Sequence, residues 1–424
     1  MKFISTPVKG MNDFLPQDMI LRQHVLGLIR DTYRTYGFSE IETPAMEHIE
    51  NLSGKLGGEN EKLIFKVMKR GRELEKGLQS GEIADSGLRY DLTLPLSRFY
   101  ANNAASLPSP LKALQIGNVW RADRPQKGRF RQFTQCDIDI LGDNSIMAEI
   151  ELIAATCAAL TRIFAEINIS EFTVHINDRR ILKAMALSAG FPEDRLGDVF
   201  IILDKMDKIG LDGVKETLLA EGYSAEAVDK YVAMFGENNK SLKVDEFCKA
   251  TCADQLDEGV AEGLDTIMNS TAEMVSEGVH LDFDPTLVRG MGYYTGTIFE
   301  ISIDGYNFSI GGGGRYDEMI GRFMGQNTPA CGFSIGFERI VTILRDFGWK
   351  EPTDGKERKA FLVDPKADAS KLVEVFALAT KLRADGSIVT VQPLRKNAKH
   401  QVQTLEAEGY TQIKKVYNDT ELSE

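Results

Sequence analysis

Apolar positions recur at helical spacing over residues 18 to 36, where Leu21, Val25, Leu28, Ile29 and Tyr36 share one face and Gly37 stands where a helix-ending glycine belongs. This pattern predicts an amphipathic helix. The run FSEIETPAMEH that follows is strand-like, with Pro44 restricting it to an edge or a bulge. A charged stretch from 59 to 86 is expected to form a hairpin and loop. LRYDLTLPLSRFYA begins extended and turns helical past Pro95. A long apolar helix is predicted over 146 to 167, then the strand FTVHIND. Charged, amphipathic helical sequence occupies about 178 to 280, strand- and glycine-rich sequence resumes at 287, and EPTDGKERK reads as a linker. Beyond it FLVDP, a helix at 370 to 384, SIVTVQP and a helix near 397 to 408 outline a small α/β unit.

The segment VWRADRPQKGRFRQFTQCDIDILG breaks the usual pattern. Arg121, Arg124, Lys127, Arg129 and Arg131 cluster around a turn marked by Pro125 and Gly128. On the outgoing strand Gln135, Asp137 and Asp139 point to one face, and Cys136, Ile138 and Ile140 to the other. The apolar set suits a core, whereas the polar set is expensive to bury without a ligand or fixed partners. The competing reading is a solvated basic hairpin on a sheet with one wet face.

The chain has 424 residues, 43% of them hydrophobic and 27% charged, which is ordinary for a protein of two or three domains. No apolar run approaches the ~18 to 20 residues that cross a bilayer, and the N-terminus lacks a signal-peptide stretch, so a cytoplasmic protein is expected. Cys136, Cys157, Cys248, Cys252 and Cys331 are scattered, which favours free thiols; no second pair accompanies Cys248 and Cys252, so no protein-only metal cluster is expected. A net charge of −13 argues against unspecific nucleic-acid binding. The stretch from Lys356 onward nevertheless carries 12 basic against 10 acidic side chains, and Arg395, Lys396, Lys399 and His400 form a small basic patch there.

A P-loop motif is absent, and GMGYYTG runs into a strand where a dinucleotide fold needs a helix. The five histidines form no constellation with Ser or Cys. Arginine is what the chain offers. Arg121, Arg129, Arg131, Arg289, Arg315 and Arg339 lie beside strands, glycines or a helix start, a set suited to a triphosphate and to charge building on phosphorus. The four glycines 311 to 314 permit a ligand to approach backbone closely, although such runs are more often flexible turns.

The ordered motifs R-x-D-R-P-Q-K-G-R-F-R-Q-F, LVRGMGYYTG, GGGGRYD and GFSIGFER resemble histidyl-tRNA synthetase, a class II aminoacyl-tRNA synthetase, over residues 5 to 345. The resemblance implies an α+β fold with an antiparallel catalytic sheet flanked by helices. It divides the chain into catalytic segments 1–177 and 281–350, a helical insertion at 178–280, and a shortened anticodon-binding-like α/β domain at 356–424. It also implies a homodimer with its interface near Pro44, and ATP-dependent ligation of L-histidine to tRNA(His), with Mg²⁺ bridging phosphate oxygens. By the same resemblance Arg121, Arg289 and Arg339 are catalytic, and Arg121, Asp123, Arg129 and Arg339 bind ATP. Asp139 and Tyr294, with Tyr293 beside them, meet the imidazole, while Asp91, Thr93 and Gln135 hold the α-amino end; Asp91 and Asp139 stand where many bacterial members carry glutamate. Arg124, Lys127, Arg131, Arg395 and Lys396 are candidates for tRNA contact. The other reading is the histidine-sensing regulatory subunit of ATP phosphoribosyltransferase, a non-catalytic paralogue whose members erode the arginines retained here.

Overall fold

A computed structural model describes residues 3–53, 62–125, 128–236, 238–239, 242–290, 292–352 and 355–422, in two compact units, Met1–Trp349 and Lys350–Glu424. The strands of the first unit are β1 (Ser39–Glu40), β2 (Met46–His48), β3 (Lys66–Met68), β4 (Ala84–Leu88), β5 (Leu111–Trp120), β6 (Gln132–Leu141), β7 (Phe172–Asp178), β8 (Val279–Phe283), β9 (Thr297–Ser302), β10 (Gly311–Arg315) and β11 (Ala330–Ile335). Eight of them make one sheet in the order β1-β5-β6-β11-β10-β9-β7-β8. Its pairs are antiparallel except β1 with β5 and β7 with β8.

One face of this sheet builds the core. The first helix, Pro16–Thr35, starts with proline in its first turn and with the Leu15 N–H donating to the Asp18 carboxylate at 3.2 Å. It ends before Gly37, whose φ of +82° suits a residue without Cβ. Its buried Leu21, Val25 and Ile29 pack in one cluster with Leu152 and Leu160 of the helix Met147–Phe164 and with Cys136, Ile138 and Ile140 of β6. The alternation along β6 thus sends its apolar residues into the core and Gln135, Asp137 and Asp139 to the opposite face. That face is not wet, as a simple solvated hairpin requires, because all three side chains are buried.

The helices that run from Arg179–Ala189 to Val260–Ala272 leave the sheet after β7 and return to it at β8, sharing the core of the first unit through Val199, Tyr231 and Leu264. In the charged stretch from 59 to 86, β3 and β4 pair antiparallel as the expected hairpin requires, but a helix stands in place of the loop. Its residues 59 to 61 lie outside the described ones, and the helix, Gly71–Ser80, joins β3 to β4. That helix buries only Gly77, and Leu74 and Leu78 are the only large apolar residues among its charged ones, too few for periodicity to set it apart.

In the second unit β12 (Arg358–Val363), β13 (Ile388–Pro393) and β14 (Gln412–Val416) form a parallel sheet in the order β13-β12-β14, with helices Ala369–Ala384 and Ala398–Ala407. The strand β14 adds to the two that the sequence pattern revealed. Asp368 and Asn397 cap the helices by accepting from the Lys371 and His400 N–H groups.

Candidate active site

The polar face of the large sheet floors a cavity of about 540 Å³, within the range of small-molecule sites. Strand register assembles one end of it. Asp137 stands opposite Ser334, and Asp139 opposite Gly332. A Cβ at Gly332 would collide with Asp139 Oδ1, so glycine there is what leaves room for the carboxylate. The Ser334 hydroxyl donates to Asp137 Oδ1 at 2.5 Å and the Tyr316 hydroxyl to Asp139 Oδ1 at 2.6 Å. Gln135 Nε2 donates to the Ser334 hydroxyl at 3.2 Å, and Asp91 Oδ1 accepts from the Leu94 N–H at 3.2 Å.

These bonds leave Asp91 Oδ2, Gln135 Oε1 and Asp139 Oδ2 buried without a partner. Each such acceptor costs free energy until an N–H donor arrives. Burial lifts Asp139 to about 7, with the Asp91 charge adding to it and the Tyr316 hydrogen bond opposing. Burial and the Asp139 charge push Asp137 well above the carboxylate range, and burial raises Asp91. Three carboxyls crowded in a dry site resist ionising together, so a cationic ligand is what this end is built to receive. Tyr293 and Tyr294, with ring centroids 4.7 Å apart, wall it, and Tyr316 stands edge-on to Tyr293 at 6.0 Å.

Arginines line the other end. Arg121, just past β5, donates from Nε to the Tyr90 carbonyl at 2.9 Å and lies over the Phe133 ring at 5.1 Å. Arg289, on the connection between β8 and β9, pairs with Glu300 and lies against β10, where a Cβ on Gly312 would stand 2.7 to 2.8 Å from the guanidinium. Its Nε is buried without a partner. Arg339, in the first turn of the helix Phe337–Asp346, donates to the Ser309 carbonyl and hydroxyl and lies over Phe308 at 5.4 Å. Arg129 pairs with Asp123 at 3.0 Å. Burial lowers the pKa of Arg339; repulsion from Arg129, Arg289 and Arg121 adds to that and Glu300 opposes it, which places four guanidinium groups within one electrostatic neighbourhood. Such crowding is relieved by a polyanion.

Asp91, Thr93, Arg121, Asp123, Arg129, Gln135, Asp139, Arg289, Tyr293, Tyr294 and Arg339 all line this cavity. Arg124 is exposed outside it, Arg131 is held by donating from Nε to the Asp123 carbonyl at 3.0 Å, and Lys127 lies outside the described residues. Arg395 and Lys396 are exposed in the second unit. Arg315 does not belong with the phosphate-facing arginines. Its Nε and Nη2 donate to Glu149 at 2.6 Å, and its remaining donors meet the carbonyls of Asp143 and Ser145 and the Asp317 carboxylate, so nothing is left for a ligand.

Other lining residues carried no assignment in the sequence. Asp137 shares the face of Asp139, and Tyr316 and Glu338 sit inside quoted motifs, yet only the fold shows their contacts. Glu338 accepts from both terminal nitrogens of Arg22, at 2.6 and 2.8 Å, and from the Thr134 N–H at 3.2 Å, tying the first helix to the turn that carries Arg339. Asp204 and Lys208 reach the cavity from the helical stretch after β7, which no local signal announces.

Comparison with known proteins agrees with this architecture. The sequence model described as Histidyl-tRNA synthetase matches residues 10–340. The Histidine--tRNA ligase of Leifsonia xyli subsp. xyli is 43% identical, covering 98% of this chain and 96% of the relative, and that of Phocaeicola vulgatus is 35% identical over 96% of this chain and 89% of its own length. The crystal structure of histidyl-tRNA synthetase from Nostoc sp. PCC 7120 superposes with a TM-score of 0.74 at 27% identity, covering 96% of this chain and 90% of that one. A Bacillus halodurans C structure described as an ATP phosphoribosyltransferase regulatory subunit/histidyl-tRNA synthetase shares the fold, with a TM-score of 0.76 at 23% identity over 98% of this chain and 99% of that one. With its α+β architecture, its large antiparallel-rich sheet and the match over most of its length, this chain belongs to the histidyl-tRNA synthetase family.

Proposed function

We propose that the cavity takes L-histidine at its carboxylate end and ATP at its arginine end, joins them as histidyl-adenylate, and passes the histidyl group to tRNA(His). The protein is an ATP-dependent aminoacyl-tRNA synthetase, a histidine--tRNA ligase. The observation that carries the assignment of roles is the opposed charge within one cavity, unpartnered carboxylate acceptors at one end and clustered guanidiniums at the other.

In the first step a carboxylate oxygen of histidine attacks the α-phosphorus, a C–O–P bond forms, and the bond to pyrophosphate breaks with its electrons leaving on pyrophosphate. Two anions meet, so positive charge at that phosphorus lowers the barrier. Arg121 and Arg289 supply it, Arg339 and the Asp123-braced Arg129 hold the nucleotide, and Mg²⁺ enters as the counterion of ATP. Asp91, Thr93 and Gln135 receive the α-ammonium group. Asp139, oriented by Tyr316, and Tyr294 with Tyr293 bracket the imidazole, so an amino acid lacking its ring nitrogens leaves a buried acceptor unpaired. In the second step a terminal ribose hydroxyl of the tRNA attacks the carbonyl carbon and gives up its proton to solvent, an ester bond forms, and the C–O bond to AMP breaks with its electrons leaving on AMP. Arg124, Lys127, Arg131, Arg395 and Lys396 are the cations proposed to meet tRNA, and the enzyme acts as a homodimer in the cytoplasm.

Histidine-dependent ATP–pyrophosphate exchange, measured alongside charging of tRNA(His), tests this reading. Exchange with charging supports it. Histidine binding with neither reaction would favour the regulatory paralogue, against which the retention of Arg121, Arg289 and Arg339 in the cavity already counts.

A further inference from the structure

Arg289 follows the buried Leu287 and Val288 on a connection with few backbone hydrogen bonds of its own. Between the Leu287 N–H, which donates to the Asp284 carbonyl, and the Thr295 N–H, which donates to Arg315, no backbone–backbone hydrogen bond occurs among the described residues. The start of the connection is fixed. The Asp284 N–H donates to the Ile176 carbonyl at 3.0 Å, and Asp284 Oδ1 accepts from the N–H and hydroxyl of Thr286 at 2.8 and 2.6 Å.

One fully buried side chain carries that fixation forward. Asn177, near the end of β7 and 0% exposed, donates from Nδ2 to the Leu287 carbonyl at 3.1 Å, two residues before Arg289. Its Oδ1 accepts from the Asp178 N–H at 2.8 Å, which fixes the orientation of the amide. An amide in so dry a place is costly unless both of its ends are used, and here both are. The Asp178 carboxylate is itself held by Arg180 at 2.7 to 2.9 Å and by the Thr297 hydroxyl at 3.3 Å. The tether therefore hangs from the sheet and not from another loop.

We propose that Asn177 is a positioning residue for adenylate formation, acting through the Leu287 carbonyl to set where Arg289 lies against Gly312 and beside Glu300. The inference rests on the reading of Arg289 as an α-phosphate ligand. Without the tether the guanidinium keeps its partner Glu300 but loses the backbone anchor that fixes its reach, and a misplacement of ~1 Å at a reacting centre costs on the order of 10²-fold in rate.

The test is a double-mutant cycle read by histidine-dependent ATP–pyrophosphate exchange, using the full chain as wild type, Asn177→Ala, Arg289→Ala and the double variant. Asn177→Ala is expected to lower kcat by about 10- to 10²-fold with the KM for histidine within about twofold, and to cause no further loss in the Arg289→Ala background. An equal fractional loss in both backgrounds, or no loss at all, overturns the proposal. Asn177→Asp keeps the shape and the acceptor but removes the donor; it is expected to follow Asn177→Ala and decides the matter if the alanine variant does not fold, a wild-type rate overturning the idea. A near-normal rate for Arg289→Ala alone strikes the proposed role of Arg289, and this inference with it, whatever Asn177 variants do.

Discussion

The two ends of the cavity are built on different principles. At the carboxylate end Asp137 and Asp139 are fixed by strand register, each facing a small residue of β11, and each holds a hydroxyl donor within 2.6 Å. At the arginine end the charges come from the margin of β5, a connection and a helix start, and they lean on aromatic rings, carbonyls and single carboxylates. The rigid end suits recognition of a small, invariant ligand, where unpaired buried groups discriminate. The looser end suits a triphosphate whose charge redistributes as bonds change. Recognition here is a matter of register and phosphate handling a matter of tethering, so substitutions at the two ends should fail differently.

The largest expected effect lies on an arginine that belongs to neither end. Arg315→Ala strands the buried Glu149 carboxylate and should cost about 3 to 5 kcal/mol of stability in denaturant titration; a loss below about 1 kcal/mol would return Arg315 to the candidates for ligand contact. Arg289→Ala should slow adenylate formation at least about 10²-fold, ~3 kcal/mol at the transition state, with little change in melting temperature. Asp139→Ala should raise the KM for histidine about 10- to 10²-fold, the ~1.5 to 3 kcal/mol of a charge-assisted bond, and leave that for ATP nearly untouched; equal effects on both substrates would dissolve the division between the ends.

A pH series sharpens the same comparison. Asp139 is held at about 7 by burial, against an ordinary value near ~4. Its folded pKa exceeds its unfolded one, so its contribution to stability is complete below about pH 4 and is lost as pH rises to about 7. Ligand-free thermal melts from pH 5 to 7.5 should therefore show a decline that flattens in Asp139→Asn; an unchanged slope would mean the carboxyl is better solvated than its burial implies. The smallest effect is expected in the second unit. Arg395→Ala with Lys396→Ala should leave exchange intact and raise the KM for tRNA a few-fold, about 1 kcal/mol, with a weaker salt dependence; altered exchange would speak against a role confined to tRNA.

Periodicity was enough to place the first helix, the long helix after β6 and the two faces of β6, because each buries a continuous apolar stripe. It passed over Gly71–Ser80, which buries one glycine, and β14, whose only fully buried residue is Val416. For the candidate site, motif resemblance brought eleven residues to one cavity, but residue type could not separate Arg289 from Arg315. Both follow or precede glycine and both pair with a carboxylate. What distinguishes them is that every donor of Arg315 is engaged while Arg289 Nε is not, and the partners concerned, Glu149 and Glu300, are 166 and 11 residues away. Asp204 and Lys208 were illegible for the same reason, since they reach the cavity from a helical stretch that carries no motif.

The glycines of β10 carry a last consequence. The sheet makes its hollow by omitting side chains from a central strand, not by spreading its layers, so the hollow is as permanent as the backbone around it. A methyl at 312 meets the Arg289 guanidinium, one at 314 meets the Thr297 carbonyl and the Tyr294 ring, and one at 332, on the neighbouring β11, meets Asp139. Drift that would gradually reshape an ordinary pocket is therefore barred along this strip, and a change of amino-acid preference would have to begin on the surrounding walls, at the tyrosines or at the neighbours of Asp91.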